Sequence, residues 1–96
     1  MQYNDIKEII KKHKPSLIDR YRIKEIGLFG SYVRNEATEN SDIDILVDFK
    51  SPISLFDFID MEDELSELLK TKVDLVSKKA LKPNIGKRIL QEVQNI

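Results

Sequence analysis

The chain has no cysteine among its 96 residues, which excludes a disulfide framework and a thiolate metal site. It has no surplus of positive charge either. Sixteen Lys and Arg face 17 Asp and Glu, for a net charge of −1 and a sequence pI of about 5.8. Binding to nucleic acid or an anionic membrane needs excess cations to replace counterions, so direct nucleic-acid binding is not expected and any basic patch is local. No apolar run approaches the roughly 20 residues that cross a bilayer, and no membrane role is expected. Met1-Gln2-Tyr3-Asn4-Asp5 turns polar at once, unlike a signal peptide, and the expected location is the cytoplasm. Histidine occurs once, as His13. It lies on an apolar helix face, where a packed or half-exposed ring is expected rather than a ligand. Repeats, linkers and low-complexity segments are also lacking.

What remains is 41% apolar and 34% charged, the balance of one small globular domain spanning residues 1–96. A chain of this size buries about two-thirds of its unfolded surface, enough for one core and one cleft but not for a separate substrate domain. Ile6, Ile9, Ile10, His13 and Leu17 recur at helical spacing over residues 4–21, with Asn4 or Asp5 as cap. Pro15 is expected to end one helix near His13 and open a short second one. Residues 23–29 read as a strand entering Gly30-Ser31, followed by a helical turn over 32–36 and a polar loop to Ser41. From Asp42 the pattern alternates, with Ile43, Ile45 and Val47 on one side and Asp42, Asp44, Leu46 and Asp48 on the other. Ser54 caps a helix to about Lys70, with Phe58, Met61, Leu65, Leu68 and Leu69 inward. Residues 73–76 form a third strand, and a last helix over 83–93 turns Ile85, Ile89, Leu90 and Val93 inward. The fold class is α/β, an α+β two-layer sandwich with a small mixed sheet packed with helices.

Two carboxylates one residue apart on a strand project from the same face, about 6.5–7 Å apart at Cα. Asp42 and Asp44 are so placed. Clustered negative charge calls for a cation, and hard ions such as Mg²⁺ take carboxylate oxygens. A bare Asp-x-Asp is commonly just a solvated strand face. Here, however, Gly30-Ser31 ends the preceding strand, where a glycine lets backbone N–H groups approach a phosphate and the serine hydroxyl adds a donor. An anion cradle and a two-carboxylate site on successive strands describe how a metal-nucleotide complex is held. Asp74, between Val73 and Leu75, is either a third acid of that site or an edge-strand carboxylate facing water. Arg34 could reach a triphosphate oxygen or stand as an exposed structural arginine. Tyr32 could stack on a base or pack inward, and Lys78, Lys79 and Lys82 read as solvated surface.

The run Gly30-Ser31-Tyr32-Val33-Arg34-Asn35-Glu36-Ala37, then Ser41-Asp42-Ile43-Asp44-Ile45-Leu46-Val47, then Val73-Asp74-Leu75 resembles the minimal nucleotidyltransferases of the DNA polymerase beta superfamily. More narrowly it is similar to the antitoxin partners of HEPN ribonuclease toxins, which transfer AMP from ATP onto a toxin tyrosine. The resemblance implies a nucleotidyltransferase fold and two Mg²⁺ ions on Asp42 and Asp44, with Asp74 completing the site of the ion that activates the acceptor hydroxyl. It also implies Gly30 and Ser31 on the β- and γ-phosphates, ATP as substrate and a HEPN toxin as partner. Asn35 departs from the glycine common in that family, but asparagine tolerates the positive φ the turn needs. Two other functions carry the same motifs: a non-catalytic binding antitoxin and a transferase acting on a small-molecule hydroxyl.

Overall fold

The alternating run from Ile43 forms the strand on which the molecule is built. The structure, a computed structural model, describes residues 1–96. Its elements in chain order are α1 (Tyr3–Tyr21), β1 (Ile23–Phe29), β2 (Ile43–Phe49), α2 (Leu55–Leu69), β3 (Val73–Ser77), a 3-10 turn (Lys78–Ala80), α3 (Pro83–Glu92) and β4 (Gln94–Asn95). The sheet order is β3-β2-β1-β4. β1 runs antiparallel to both neighbours, and β2 pairs with β3 in parallel. This is the mixed α+β sheet that the sequence predicts. No helix is long and apolar enough to cross a membrane.

One face of the sheet carries the core. Ile26, Leu28, Ile43, Ile45, Val47, Val73 and Leu75 meet Ile6, Ile10 and Leu17 of α1 and Met61, Leu65 and Leu69 of α2 in one buried cluster. Each such side chain contributes about 1.5–3 kcal/mol by leaving water. Ser54 caps α2 as expected, its Oγ accepting from the Asp57 N–H at 3.1 Å. Across the layer, the Arg20 guanidinium makes both of its terminal bonds to the Glu64 carboxylate, which also accepts from the Tyr21 hydroxyl at 3.0 Å. This ties the end of α1 to α2. The outer edge of β3 is closed from within: Ser66 Oγ accepts from the Val73 N–H at 3.0 Å and Glu62 Oε2 from the Leu75 N–H at 2.8 Å.

Three expectations are corrected. Pro15 does not break α1, which runs through it as one helix. Lys11, whose carbonyl loses its partner, and Pro15 itself both lie on the exposed side, where water takes that carbonyl. Buried Ile6, Ile10 and Leu17 hold the helix to the core on either side of the proline. The cap is Gln2 rather than Asn4 or Asp5. Asp5 instead accepts from the Gln2 N–H at 2.8 Å, as the third residue of a capping box does. In α3, Ile85 and Leu90 point to solvent, at 63% and 47% exposure. The helix rests on Gly86, where an added Cβ would lie 2.9 Å from Leu81 Cβ. That close approach sets the rotation of the helix and sends the more apolar arc outward. β4 is an element the sequence reading does not contain.

Leu65 is fully buried, at the centre of the layer opposite the acidic face. Leu65→Ala should destabilise the fold by about 2–5 kcal/mol through lost transfer energy and a residual cavity. Urea denaturation should show a lower midpoint with an unchanged slope.

Candidate active site

The second face of the sheet carries the acids. Phe29 pairs with Asp44 across the antiparallel ladder, and Asp44 pairs with Asp74 across the parallel one. Register partners project to the same face, so the Asp44 and Asp74 backbones stand about 5 Å apart. Asp42, one residue ahead of β2, shares that face. It is exposed, with its carboxylate 3.9 Å from Lys72 Nζ. Asp74 is also exposed, on an edge strand. Asp74 thus faces water, as the edge-strand reading expects, and stands beside Asp44 in the ladder. The three carboxylates do not close around a single point.

Asp44 is the strained member. Burial first, then repulsion from Asp74 and Asp42, pushes its carboxyl up to about 6, against a partial offset from Arg34. Gly30 explains how it fits. The glycine has φ +81°, and a Cβ built there would lie 2.1 Å from Asp44 Oδ2. The carboxylate therefore lies directly over the glycine, and a side chain at that position would evict it. Beyond Gly30 the chain turns helically as expected. The N–H groups of Val33 and Arg34 both donate to the Gly30 carbonyl, at 3.0 and 3.1 Å, and the Glu36 N–H to that of Ser31 at 2.9 Å. Asn35 adopts φ +60°, so the positive-φ position is kept without a glycine.

One residue of the site was missed. Glu92, in the last turn of α3, takes a hydrogen bond from the Gly30 N–H at 2.7 Å and an ion pair from Arg34 Nη1 at 2.6 Å. Arg34 Nε is bound to Glu36 at 2.6 Å. Burial alone would raise the Glu92 carboxyl, but the bonds from Arg34 and Gly30 outweigh it and hold it below the ordinary glutamate range. Nothing local in the sequence distinguishes Glu92 from the other surface acids. Its partners lie 58 and 62 residues away. Between α3 and the strand ends runs a cleft of about 290 Å³, with Phe29, Gly30, Arg34 and Asp44 on one wall and Ile85, Arg88, Ile89 and Glu92 on the other.

The remaining candidates lie elsewhere. Tyr32 packs against the core and lines a separate cleft with Tyr3 and Gln94, away from Asp44. It offers no stacking surface to the acidic cleft. Lys78 pairs with Glu25 at 3.2 Å, while Lys79 and Lys82 are exposed. His13 Nδ1 lies 2.9 Å from the Ile9 carbonyl, within its own helix. Another cleft, of about 190 Å³, opens at the opposite end of the β1/β2 ladder beside Arg22, Ser51 and Ser54 and contains none of the candidate residues.

The donor set fits a hard divalent cation. Three carboxylates share a face, the middle one is driven toward protonation by burial and then by its acidic neighbours, and the nearest guanidinium is already paired with Glu92 and Glu36. That the acids do not form a closed cage suits Mg²⁺, which commonly takes one or two carboxylates and completes its shell with substrate phosphates and water.

A small mixed sheet with acids on two adjacent strands and a glycine turn at the end of a third is the arrangement of a nucleotidyltransferase. The chain belongs to the nucleotidyltransferase domain family, which it matches over residues 10–96. It is 52% identical over 89 residues to the protein adenylyltransferase MntA of Thermococcus cleftensis, spanning 93% of this chain and 90% of the relative. Among solved structures it is similar to one described as a minimal nucleotidyltransferase, with a TM-score of 0.79 and 31% identity over 100% of this chain and 97% of the other. It also resembles a chain of the tri-AMPylated Shewanella oneidensis HEPN toxin in complex with MNT antitoxin. There the TM-score is 0.69 and the identity 23%, over 99% of this chain and 71% of the other, a likeness of fold.

The raised Asp44 carboxyl has a consequence for stability. Its folded value of about 6 lies above the unfolded value of about 3.9, so the native state binds more protons between these values. The contribution of this group is then lost as pH rises from about 4 through about 6. In chelator at pH 7, Asp44→Asn should melt at a higher temperature than wild type, and the gap should vanish near pH 4. Added Mg²⁺ should raise the wild-type melting temperature more than that of the variant. A constant gap across this range would exclude the raised Asp44 carboxyl.

Proposed function

We propose that this chain, acting as one domain over residues 1–96 in the cytoplasm, transfers AMP from ATP to a tyrosine hydroxyl of a HEPN ribonuclease toxin and so serves as its antitoxin. The observation that carries this reading is the placement of Asp44, neighboured on its sheet face by Asp42 and Asp74, against Gly30 in the cleft that Arg34 also lines. The acceptor class is supported by the 52% identity to a protein adenylyltransferase. A cleft of about 290 Å³ is at the lower end of small-ligand sites, with little space for a second small substrate beside a nucleotide. The charge balance of 16 to 17 does not favour a polynucleotide acceptor. A protein acceptor brings its own docking surface.

In this mechanism Asp42 and Asp44 would hold two Mg²⁺ ions together with the triphosphate, and Asp74 would complete the site of the ion that serves the acceptor hydroxyl. When bound, Mg²⁺ would neutralise phosphate charge and make the acceptor hydroxyl more acidic. The Gly30 N–H and Ser31 hydroxyl donate to the β- and γ-phosphate oxygens, and the planar Arg34 fork reaches a further oxygen. Near neutral pH the Asp44 carboxyl, at about 6 before any cation binds, is mostly ionised and able to act as a ligand. Attack is in line: the bond from the tyrosine oxygen to the α-phosphorus forms as the bond to the β-phosphate bridging oxygen breaks. Pyrophosphate leaves and the hydroxyl proton passes to solvent. The protein supplies no nucleophile of its own.

The division of labour among the acids gives Asp74→Asn a distinctive expected effect. Turnover should fall by about two orders of magnitude or more, while calorimetric affinity for ATP with Mg²⁺ changes by only a few-fold. Affinity lost as completely as turnover would refute the assignment of Asp74 to the acceptor side. For the function as a whole, α-labelled ATP, Mg²⁺ and the protein encoded by the adjacent reading frame, expected to be a HEPN ribonuclease, should be incubated together. Label should enter that protein and its ribonuclease activity should stop, and Asp42→Asn with Asp44→Asn should abolish both effects. Label confined to RNA or a small molecule would overturn the reading. Inhibition undiminished in the double variant would instead favour a binding antitoxin.

A further inference from the structure

We infer that Glu92 sets the affinity and selectivity of the nucleotide site: its carboxylate stands where a nucleotide phosphate binds, and only a ligand that brings a phosphate to Gly30 and Arg34 displaces it. The inference rests on the reading of those two residues as phosphate contacts. Its basis is geometric. One carboxylate oxygen of Glu92 takes the Gly30 N–H at 2.7 Å and the other takes Arg34 Nη1 at 2.6 Å. A phosphate presents the same pair of anionic acceptors to the same pair of donors. A donor already spent on Glu92 cannot also serve a phosphate without exchange, so the two anions compete.

The exchange is local. The Glu92 side chain is 22% exposed and sits on the rim of the cleft at the end of α3. The last turn stays anchored without it, since the Val93 N–H donates to Ile89 O and the Ile96 N–H to Ile26 O, each at 2.9 Å. Glu92 thus has two states, latched on Gly30 or turned out, and apparent affinity falls in proportion to the latched fraction. Selectivity follows from which ligands need the latch open. ATP and pyrophosphate place a phosphate at Gly30. AMP, whose one phosphate stays with Asp42 and Asp44, leaves Glu92 where it is.

Calorimetry with α,β-methylene-ATP and Mg²⁺ on wild type, Glu92→Gln and Glu92→Ala tests this. With a latch closed about nine-tenths of the time, both variants should bind the analogue about tenfold more tightly. AMP affinity should stay within about twofold, and the ligand-free melting temperature should fall because two charge-assisted bonds are lost. A purely structural glutamate would lower stability and affinity together. Equal or weaker analogue binding by folded variants, with wild-type binding intact, overturns the inference. Failure of wild type to bind the analogue removes the phosphate reading and the inference with it. If the variants do not fold, the Glu92 side-chain carboxyl resonance of ¹³C-labelled wild type decides. It should shift on saturation with the analogue and stay in place with AMP, and an unmoved resonance with the analogue overturns the latch.

Discussion

Like charge gathered on one face of a small sheet is the constraint around which this molecule is organised. Asp42, Asp44 and Asp74 share that face, Glu92 reaches over its rim, and Arg34 is the guanidinium set among them. Left to themselves, such groups would move apart or take up protons. They stay together because their backbones are not free to separate. Ile43 and Ile45, which alternate with the aspartates along β2, are fully buried on the opposite face. Moving either acid means moving a core residue. The apolar layer thus stores the repulsion that a bound cation and a phosphate would relieve.

The same alternation links packing to chemistry at Gly30. The strand that delivers Leu28 to the core ends at Phe29, and the glycine that follows has no side chain to resist the Asp44 carboxylate. Its N–H is left facing the cleft. The turn after it repeats helical bonding through Arg34, which returns the guanidinium to the same cleft. Acid, amide and guanidinium thus meet through the backbone geometry of some fifteen residues. The rest of the chain holds that geometry still.

Much of this could be read from the sequence, for definite reasons. Period-2 patterning over residues 42–49 identifies a strand and both of its faces, because one face is fully apolar and the other begins with the two acids Asp42 and Asp44. Residues 23–29 and α2 were equally legible, the latter through Ser54 and the spacing of Met61, Leu65 and Leu69. What escaped depends on contacts between distant positions. Pro15 is tolerated because the bare carbonyl faces water, a fact of orientation and not of local propensity. The turning of Ile85 and Leu90 to solvent follows from the seat of Gly86 on Leu81, which no helical wheel contains. β4 is two residues long and pairs only because Gly27 leaves space beside it. Glu92 combines both difficulties: its helix had to be rotated correctly, and its partners lie 58 and 62 residues earlier in the chain.

The closure of β3 bears on how this protein can associate. An open strand edge is a template on which another chain can add a strand, and with it a route to aggregation. Here Ser66 and Glu62 take the outward N–H groups on either side of Asp74, so that border presents no vacant row of donors. The other border is β4, only two residues long. The sheet stops at four strands, and at the β3 border a partner protein would be met by side chains and helix surface instead of by backbone pairing. Recognition of that kind can change residue by residue as a partner drifts in sequence, while the acidic face behind it stays untouched.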